Sequence, residues 1–231
     1  MTTERNSSQD GASARAPVPG GLYALLSDNV LFPELFTAAA VMLSNAGVRA
    51  IQLRVKDELD DAGRLALQRE VAQALAGWGG LLVVNDRADL AAILRAEAPA
   101  DLAVGLHLGQ DDLPPEVARR IVGPDVVIGR STHTLEQVAA AQDEPVDYIG
   151  FGPLFATRTK TAHDPTVGLD GLQAACEASR LPVVAIGGVG ADTAARCITA
   201  GAHAVAMAGA LFGGGLDALP VRTKAILREL G

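Results

Sequence analysis

The sequence predicts a single (β/α)8 barrel, in which eight parallel strands alternate with helices. Eight short runs rich in β-forming residues recur along the chain, and segments with a helical spacing of apolar residues separate them. Several of these runs are apolar almost throughout, which is typical of parallel strands covered by helices. A doubly wound open sheet is the competing architecture, but no G-x-G-x-x-G turn follows the first run. Eight repeats of strand and helix therefore favour the barrel.

The strands are predicted one by one from these runs, and they cover residues 22–28, 50–56, 80–86, 103–109, 126–132, 148–155, 183–188 and 204–211. Between them, segments such as LALQREVAQALAGW and DTAARCITAGA have the apolar spacing of helices. In a (β/α)8 barrel the active site lies at the carboxyl ends of the strands. The residues at those ends are therefore the candidate site.

Length and composition favour one soluble globular domain. The chain has 231 residues, of which 49% are hydrophobic and 20% charged, and single α/β barrels commonly reach this length. Residues 1–20 are polar and rich in Gly, Pro and Ser. We expect a disordered N-terminal tail over residues 1–20 and a barrel domain over residues 21–231.

Charge and cysteine content argue against several classes of function. The formal net charge of −8 disfavours general binding to nucleic acid or to a membrane surface, and no apolar run is long enough to span a bilayer. Cys176 and Cys197 are the only cysteines, so a reducing cytoplasm is expected rather than a disulfide framework. A homo-oligomer is also compatible with the sequence.

The second predicted strand ends in a row of polar side chains. Gln52, Arg54 and Lys56 alternate with apolar residues, so they share one face of the strand. Burying this row inside a barrel is costly without an anionic partner. The row could equally face solvent with its aliphatic stems packed on a helix, and the strand alone leaves both interpretations open.

Carboxylates follow the third and fourth predicted strands. Asn85 and Asp86 end the third strand, and Asp112 lies in the loop after the fourth. Two carboxylates from adjacent strand ends suit Mg2+, which takes phosphate oxygens as further ligands. As structural alternatives, Asp86 could begin a turn and Asp112 could cap the helix predicted near Pro114.

The fifth predicted strand ends in the segment GRSTHT. Within it, Ser131 is a candidate donor to a phosphate oxygen, and Thr134 with Gln137 has the spacing of a capping box. His133 in this segment and His107 in the fourth predicted strand are isolated histidines, and such histidines are more often structural than catalytic.

Hydroxyls and cations are combined after the sixth predicted strand, where Thr157, Arg158, Thr159 and Lys160 follow one another. This combination suits an anion with several oxygens, and it also suits an ordinary solvated loop. Only three lysines occur in the chain, and two of them lie at strand ends, Lys56 as the last residue of the second predicted strand and Lys160 shortly after the sixth.

Small residues end the last two predicted strands, as Gly187–Gly188 and Ala208–Gly209. (β/α)8 barrels commonly hold a substrate phosphate at this place with backbone N–H groups, and glycine lets the phosphate approach closely. Tight helix packing is the structural alternative for these glycines.

Together the strand ends resemble the thiamine-phosphate synthase family. The segments that carry the resemblance, between about Leu22 and Leu211, are QLRVK, VND, HLGQDD, GRSTHT, GPLFATRTK, AIGG and AVAMAGAL. The family is a (β/α)8 barrel that joins hydroxymethylpyrimidine diphosphate to hydroxyethylthiazole phosphate and releases pyrophosphate. The resemblance therefore implies a transferase of thiamine biosynthesis with these two small-molecule substrates.

The resemblance also implies which residues bind the substrates. The residues implied for the pyrimidine diphosphate are Gln52, Arg54, Lys56, Asn85, Ser131 and Lys160. Those implied for the thiazole phosphate are Thr157, Arg158, Thr159, Gly188, Ala208 and Gly209.

For catalysis the resemblance implies a dissociative substitution, in which pyrophosphate leaves before the thiazole nitrogen attacks. Mg2+ would be held on the pyrophosphate by Asp86 and Asp112. No nucleophile is needed, because the protein stabilises the charge that develops on the leaving group. The implied catalytic residues are Arg54, Lys56, Lys160 and Ser131.

Three positions depart from the family pattern. Ala156 stands where Pro is usual, Gly209 where a hydroxyl residue is usual, and Ala206 where some members have Ser. The missing hydroxyl at Gly209 would weaken phosphate binding by about 0.5–1.5 kcal/mol, or somewhat more to a charged acceptor.

Other functions fit part of the pattern. A thiazole tautomerase of a related barrel family would use His133 as acid and base, without a diphosphate site. A Schiff-base aldolase would use Lys56 or Lys160 as its nucleophile, and a non-catalytic phosphate sensor or oligomer scaffold would bind ligand without turnover. The basic row together with Asp86 and Asp112 favours the synthase.

Overall fold

Eight parallel strands form the centre of the molecule. The computed structural model describes residues 18–156 and 165–231. Its strands are β1 (Gly21–Ser27), β2 (Ala50–Arg54), β3 (Leu81–Asn85), β4 (Ala103–Leu108), β5 (Val127–Thr132), β6 (Tyr148–Phe151), β7 (Val183–Ala185) and β8 (Ala204–Met207). They follow one another in chain order, and β8 pairs with β1 to close the barrel. The predicted (β/α)8 barrel is confirmed.

Helices connect the strands and cover the outside of the barrel. After a 3-10 turn at Pro33–Leu35 they are α1 (Phe36–Ala46), α2 (Asp61–Ala74), α3 (Ala88–Glu97), α4 (Pro115–Val122), α5 (Leu135–Ala141), α6 (Gly168–Ala178), α7 (Ala191–Thr199), α8 (Gly209–Phe212) and α9 (Leu219–Leu230). None of the helices in the described ranges combines the length and apolar character needed to cross a membrane.

The start of α5 shows the predicted cap with one difference. The Thr134 hydroxyl accepts a hydrogen bond from the Gln137 N–H, as an N-cap residue does. The Gln137 side chain accepts from the N–H of His133, one residue before the position that a capping box uses. The cap therefore also holds the backbone at the end of β5.

The core has two layers because successive strand residues point to opposite faces. Outward-facing residues such as Ile51 and Leu53 pack against the helices in one large buried cluster. Inward-facing residues fill the barrel in a second, smaller cluster that includes Tyr23, Val83 and Tyr148. The barrel interior is therefore packed with side chains below its carboxyl end.

Seven of the eight strands end before the predicted residue, and β6, β7 and β8 do so by three or four residues. β6 ends at Phe151, because Pro153 has no N–H to donate to a neighbouring strand. β7 ends at Ala185, and the following Gly187 and Gly188 have φ angles of 91° and 68°, outside the β region. β8 ends at Met207, since the chain turns into α8 at Gly209.

The folded part of the chain begins earlier than the predicted domain boundary at residue 21. Val18 is only 2% exposed and belongs to the inner cluster, and its carbonyl oxygen is 2.8 Å from His203 Nε2. Residues 18–20 are therefore part of the barrel rather than of a tail. The prediction of a disordered tail for residues 1–17 falls outside the described residues.

Candidate active site

A cavity of about 770 Å3 opens at the carboxyl ends of the strands. Its volume lies within the usual range for small-molecule sites. Ten of the predicted site residues line it, namely Gln52, Arg54, Lys56, Asn85, Asp86, Asp112, Ser131, Gly188, Ala208 and Gly209. The other four, Thr157, Arg158, Thr159 and Lys160, lie outside the described residues.

The row of polar side chains on β2 points into this cavity. Gln52 is 4% exposed and lines the cavity together with Arg54 and Lys56, while Leu53 packs outward against the helices. Gln52 and Arg54 therefore face the cavity rather than a helix, and Lys56, which follows β2, lines the cavity with its side chain 46% exposed. Within the part of the chain that the structure describes, the buried Gln52 Nε2 has no hydrogen-bond partner. A buried donor without a partner is costly, and an oxygen of a bound ligand would satisfy it.

The loop after β1 holds the end of β2 in place. Arg54 Nη1 donates to Ser27 Oγ at 3.0 Å. The Asp28 carboxylate accepts from the backbone N–H groups of Lys56 and Asp57 at 2.6 and 2.9 Å. Burial alone would raise the pKa of Asp28, but these hydrogen bonds and the nearby Arg54 guanidinium lower it overall. The Asp28 carboxylate thus fixes the backbone from which the Lys56 side chain extends.

Ser27 and Asp28 were not among the predicted site residues, although Ser27 lines the cavity and Asp28 holds the backbone beside it. Both lie at the end of the first predicted strand, where the polar pair follows an apolar run. This position at a strand end was the signal that could have identified them.

Asp86 and Asp112 lie against one another at the rim. Asp86 Oδ2 is 3.0 Å from Lys56 Nζ, and Asp112 Oδ2 accepts from the Gly109 N–H at 2.6 Å. Burial raises the pKa of Asp112, and its hydrogen-bond contact with Asp86 and the charge of Asp86 raise that pKa further. The charge of Asp86 therefore disfavours the ionised form of Asp112.

The structural alternatives for these two residues have different outcomes. Asp86 has a φ of 64° and does form a turn, in the left-handed region that Asp and Asn tolerate better than most residues. Asp112 does not cap α4, whose N-cap is Pro114 without a side-chain hydrogen bond. The Asp112 carboxylate instead bonds within its own loop and faces the cavity.

A divalent cation fits this pair of carboxylates. The described residues contain no cluster of three or more His, Cys, Asp or Glu that could enclose a metal ion. Within that part of the chain Asp86 and Asp112 would supply the protein ligands, and a small number of protein ligands suits Mg2+, which keeps waters and binds substrate phosphates. A cation there would also relieve the repulsion that raises the pKa of Asp112.

The Ser131 side chain lies on the cavity wall in contact with a histidine. His107 Nε2 is 2.9 Å from Ser131 Oγ, and His107 itself lines the cavity. His107 and Asn85 are register partners on neighbouring strands, so they lie at one level of the barrel. His107 was predicted to be structural, although its alternation with Gly105 and Gly109 places these three residues on one face of β4.

His133 is held by its main-chain surroundings. Its Nδ1 is 2.5 Å from the carbonyl oxygen of Gly152, which can only accept, so Nδ1 carries a proton. The ring also lines the cavity.

The glycine segment after β7 packs directly against the chain that follows β6. A Cβ on Gly188 would lie 2.6 Å from the Phe155 carbonyl oxygen and 2.7 Å from that of Ala156. A Cβ on Gly209 would have no atom within 4 Å outside its own chain neighbourhood. Gly188 is thus required by backbone packing, whereas Gly209 leaves open space at the cavity.

A closed eight-stranded barrel with a polar cavity at the carboxyl ends of its strands defines the class of (β/α)8-barrel proteins with a small-molecule site at that end. Within this class, the sequence model of the family described as thiamine monophosphate synthase matches residues 22–211. The chain belongs to this family.

Individual relatives agree with this assignment. A thiamine-phosphate synthase from Anaeromyxobacter dehalogenans is 43% identical over 194 residues, which cover 84% of this chain and 81% of that protein. A thiamine-phosphate synthase from Synechococcus sp. strain WH7803 is 44% identical over 167 residues, 72% of this chain but only 45% of that longer protein. Among solved structures, thiamine phosphate pyrophosphorylase from Pyrococcus furiosus superposes with a TM-score of 0.76 at 29% identity, covering 91% of this chain and 95% of that one.

Proposed function

We propose that this chain is a thiamine-phosphate synthase, which joins hydroxymethylpyrimidine diphosphate to hydroxyethylthiazole phosphate and releases pyrophosphate. The observation that carries the proposal is the convergence of cations, carboxylates and glycine backbone from different strands on one cavity. β2 to β5 supply the charged and hydrogen-bonding side chains, and the segments after β7 and β8 supply the glycines. Two anionic groups can therefore be accommodated at different parts of one rim.

The β2 side of the cavity is proposed to bind the diphosphate. Arg54 and Lys56 supply positive charge, and Gln52 supplies a buried amide without a partner in the described part of the chain. The oxygens of an ionised diphosphate group accept hydrogen bonds, so they match donors of this kind. Lys160, which follows the sixth strand, is proposed to complete this site.

Asp86 and Asp112 are proposed to hold Mg2+ against the diphosphate. When bound, the ion would neutralise charge on the leaving pyrophosphate. The Lys56 ammonium, now paired with Asp86, would then be released toward a diphosphate oxygen.

The glycine side is proposed to bind the thiazole phosphate. Gly188, Ala208 and Gly209 leave the main chain accessible at the cavity, so backbone N–H groups can donate to phosphate oxygens. The segment Thr157–Thr159 is proposed to contact the thiazole ring.

The proposed reaction breaks the bond between the pyrimidine methylene carbon and the diphosphate oxygen, and the electron pair leaves with pyrophosphate. The resulting pyrimidine-methyl cation is captured by the lone pair of the thiazole nitrogen. Arg54, Lys56, Lys160 and Ser131 stabilise the departing charge, and the cavity aligns the two reactants. This chemistry requires no nucleophilic side chain.

The proposed partners of the protein are these two small molecules, without nucleic acid or a membrane. The cytoplasm is the proposed compartment, because Cys176 and Cys197 are free thiols and a reducing environment keeps them so.

Incubation of the protein with both substrates and Mg2+ tests the proposal. Thiamine phosphate and pyrophosphate should appear in equal amounts, and omission of Mg2+ or of either substrate should abolish both. The informative variant is Asp86→Asn, since Asn tolerates the left-handed backbone that Asp86 adopts, and we expect at least a hundredfold loss of kcat.

Asp101→Asn serves as the matched control, because Asp101 is exposed and lies before β4 at the opposite end of the barrel. It should retain full activity. Binding of both substrates in a calorimeter without any product would instead indicate a non-catalytic phosphate sensor and contradict the proposal.

The two rival enzymes are less well supported by the site. In a Schiff-base aldolase Lys56 would attack a carbonyl, but here its ammonium is paired with Asp86. The other candidate nucleophile, Lys160, lies outside the described residues. A tautomerase using His133 would leave the cations and carboxylates of β2, β3 and the β4 loop without a role.

A further inference from the structure

A line of hydrogen-bonded side chains crosses the barrel interior beneath the cavity. The hydroxyls of Tyr23 and Tyr148 are 3.0 Å apart, and the Tyr148 hydroxyl is 3.0 Å from His107 Nδ1. His107 Nε2 is 2.9 Å from Ser131 Oγ, which lies on the cavity wall. These are the only two tyrosines in the chain, and both are buried in the barrel interior.

The barrel interior has glycines where this line needs room. A Cβ on Gly129 would lie 2.1 Å from Cζ of Tyr148, and one on Gly150 would lie 3.2 Å from Cε1 of His107. The His107 and Tyr148 rings are in contact, with centroids 5.5 Å apart. Any side chain at Gly129 would displace the Tyr148 ring, so the strands themselves position it.

The direction of the hydrogen bonds follows from the Tyr23 end. Burial raises the pKa of both tyrosines, so each hydroxyl keeps its proton at neutral pH. Among the described residues, the Tyr23 hydroxyl has only the Tyr148 hydroxyl as its partner. Tyr23 must therefore donate to Tyr148, because its proton would otherwise be buried without an acceptor.

The remaining bonds follow in order. Tyr148 accepts from Tyr23 and donates its own proton to His107 Nδ1. The neutral imidazole then carries its proton on Nε2 and donates to Ser131 Oγ. Since the Ser131 oxygen already accepts, its own proton is directed to another acceptor, and the cavity is the open side.

We propose that Tyr148, with Tyr23 behind it, is a positioning residue that acts through His107 to keep the Ser131 hydroxyl a hydrogen-bond donor toward the ligand. The inference rests on the proposed function, in which that ligand is the diphosphate. A diphosphate oxygen cannot donate, so a serine whose proton pointed back to His107 would present a lone pair to an anion. The Tyr148 hydroxyl, which donates to His107 Nδ1, excludes that arrangement.

The tautomer of His107 tests the direction without any activity measurement. Long-range proton–nitrogen NMR spectra distinguish the two neutral tautomers, and the His107 signals can be assigned by their absence in His107→Gln. The wild-type protein should show His107 neutral at pH 7 with its proton on Nε2. A proton on Nδ1, or on both nitrogens, would overturn the proposal.

The two tyrosines provide a matched pair of variants, because each loses one buried hydroxyl but only Tyr148 contacts His107. Tyr23→Phe should keep the Nε2 tautomer, since Nδ1 is still an acceptor for the Tyr148 hydroxyl. Tyr148→Phe should give a mixture of tautomers and lower kcat/KM for the pyrimidine diphosphate about tenfold, with KM for the thiazole phosphate unchanged. Equal effects of both variants on tautomer and rate would indicate packing alone and contradict the proposal.

A double variant separates positioning from general destabilisation. Ser131→Ala should lower kcat/KM about as much as Tyr148→Phe, and the two changes together should cost no more than Ser131→Ala alone. Additive losses would overturn the proposal. If Tyr148→Phe does not fold, the wild-type tautomer still decides the direction.

Failure of the proposed function has a different signature. A proton on Nε2 in a protein that forms no thiamine phosphate would support the hydrogen-bond direction and refute the synthase activity.

Discussion

Asp112 lines the cavity, and its charged form is destabilised there. Its carboxyl group lies against that of Asp86 and is partly buried, so its pKa is raised in the folded protein. The folded state then binds a proton more tightly than the unfolded chain does. Stability is therefore lost as the pH rises from the ordinary pKa of an aspartate through the raised value.

We predict that Asp112→Asn raises the melting temperature of the metal-free protein at pH 7, because the variant has no charge at this position. The amide oxygen of Asn can still accept from the Gly109 N–H. The gain should disappear at pH 3, where Asp112 is protonated in both states. Thermal unfolding in the presence of a chelator, measured from pH 3 to pH 8, checks this.

Addition of Mg2+ gives the complementary measurement. It should raise the melting temperature of the wild type and leave that of Asp112→Asn almost unchanged. Asp101→Asn is the control, since Asp101 is exposed and lies at the opposite end of the barrel. If the melting temperatures of wild type and Asp112→Asn changed in parallel with pH, the result would contradict the prediction.

At the scale of an element, the segment after β7 depends on a glycine that the strand pattern does not require. Gly188 has a φ of 68°, and a Cβ there would meet two carbonyl oxygens of the segment after β6. The two segments cannot move apart easily, because the Phe155 N–H donates to the carbonyl oxygen of Gly187 at 2.9 Å. The two segments are thus built as one wall of the cavity.

We predict that Gly188→Ala destabilises the protein by about 1–3 kcal/mol, because it combines a strained φ with a backbone clash. It should also raise KM for the thiazole phosphate several-fold through displacement of the wall. Gly209→Ala is the matched variant for stability, since its Cβ enters open space. Its free energy of unfolding should lie within about 0.5 kcal/mol of the wild-type value. Urea denaturation compares the two, and equal stabilities would show that the wall can shift freely.

At the scale of the whole molecule, the residues that precede β1 cover the end of the barrel opposite the cavity. Val18 precedes β1, lies within the inner cluster and bonds through its carbonyl oxygen to His203. The cavity lies at the opposite end, where the interior is open. One end of the barrel is therefore sealed by apolar contacts, and the other is lined by polar groups.

We predict that Val18→Ala lowers the free energy of unfolding by about 1.5–3 kcal/mol, from lost burial and the cavity left behind. Val221→Ala makes the same change on α9, where the side chain is 75% exposed, and should cost less than about 0.5 kcal/mol. Chemical denaturation measures both. A negligible cost at Val18 would mean that the segment before β1 does not contribute to the core.

Much of the fold was predictable because its signals are local. The apolar runs of the strands, the helical spacing between them and the cap at Thr134 each involve a few neighbouring residues. The alternation of Gln52, Arg54 and Lys56 placed them on one face, and the rule that barrel sites lie at carboxyl ends brought them near Asp86 and Asp112. Strand ends were less accurate at β6, β7 and β8, where proline and glycine interrupt pairing.

By itself the sequence determined the (β/α)8 architecture and which strand ends carry charge, since the spacing of apolar residues differs between strands and helices, with periods of 2 and 3.6 residues. Only the tertiary structure decided that the β2 row faces inward, that Val18 seals the barrel and that Asp112 meets Asp86. It also joined Tyr23 to Tyr148, which are 125 residues apart in the chain. A contact over that separation has no local pattern, because it joins β1 to β6 across the interior of the closed barrel.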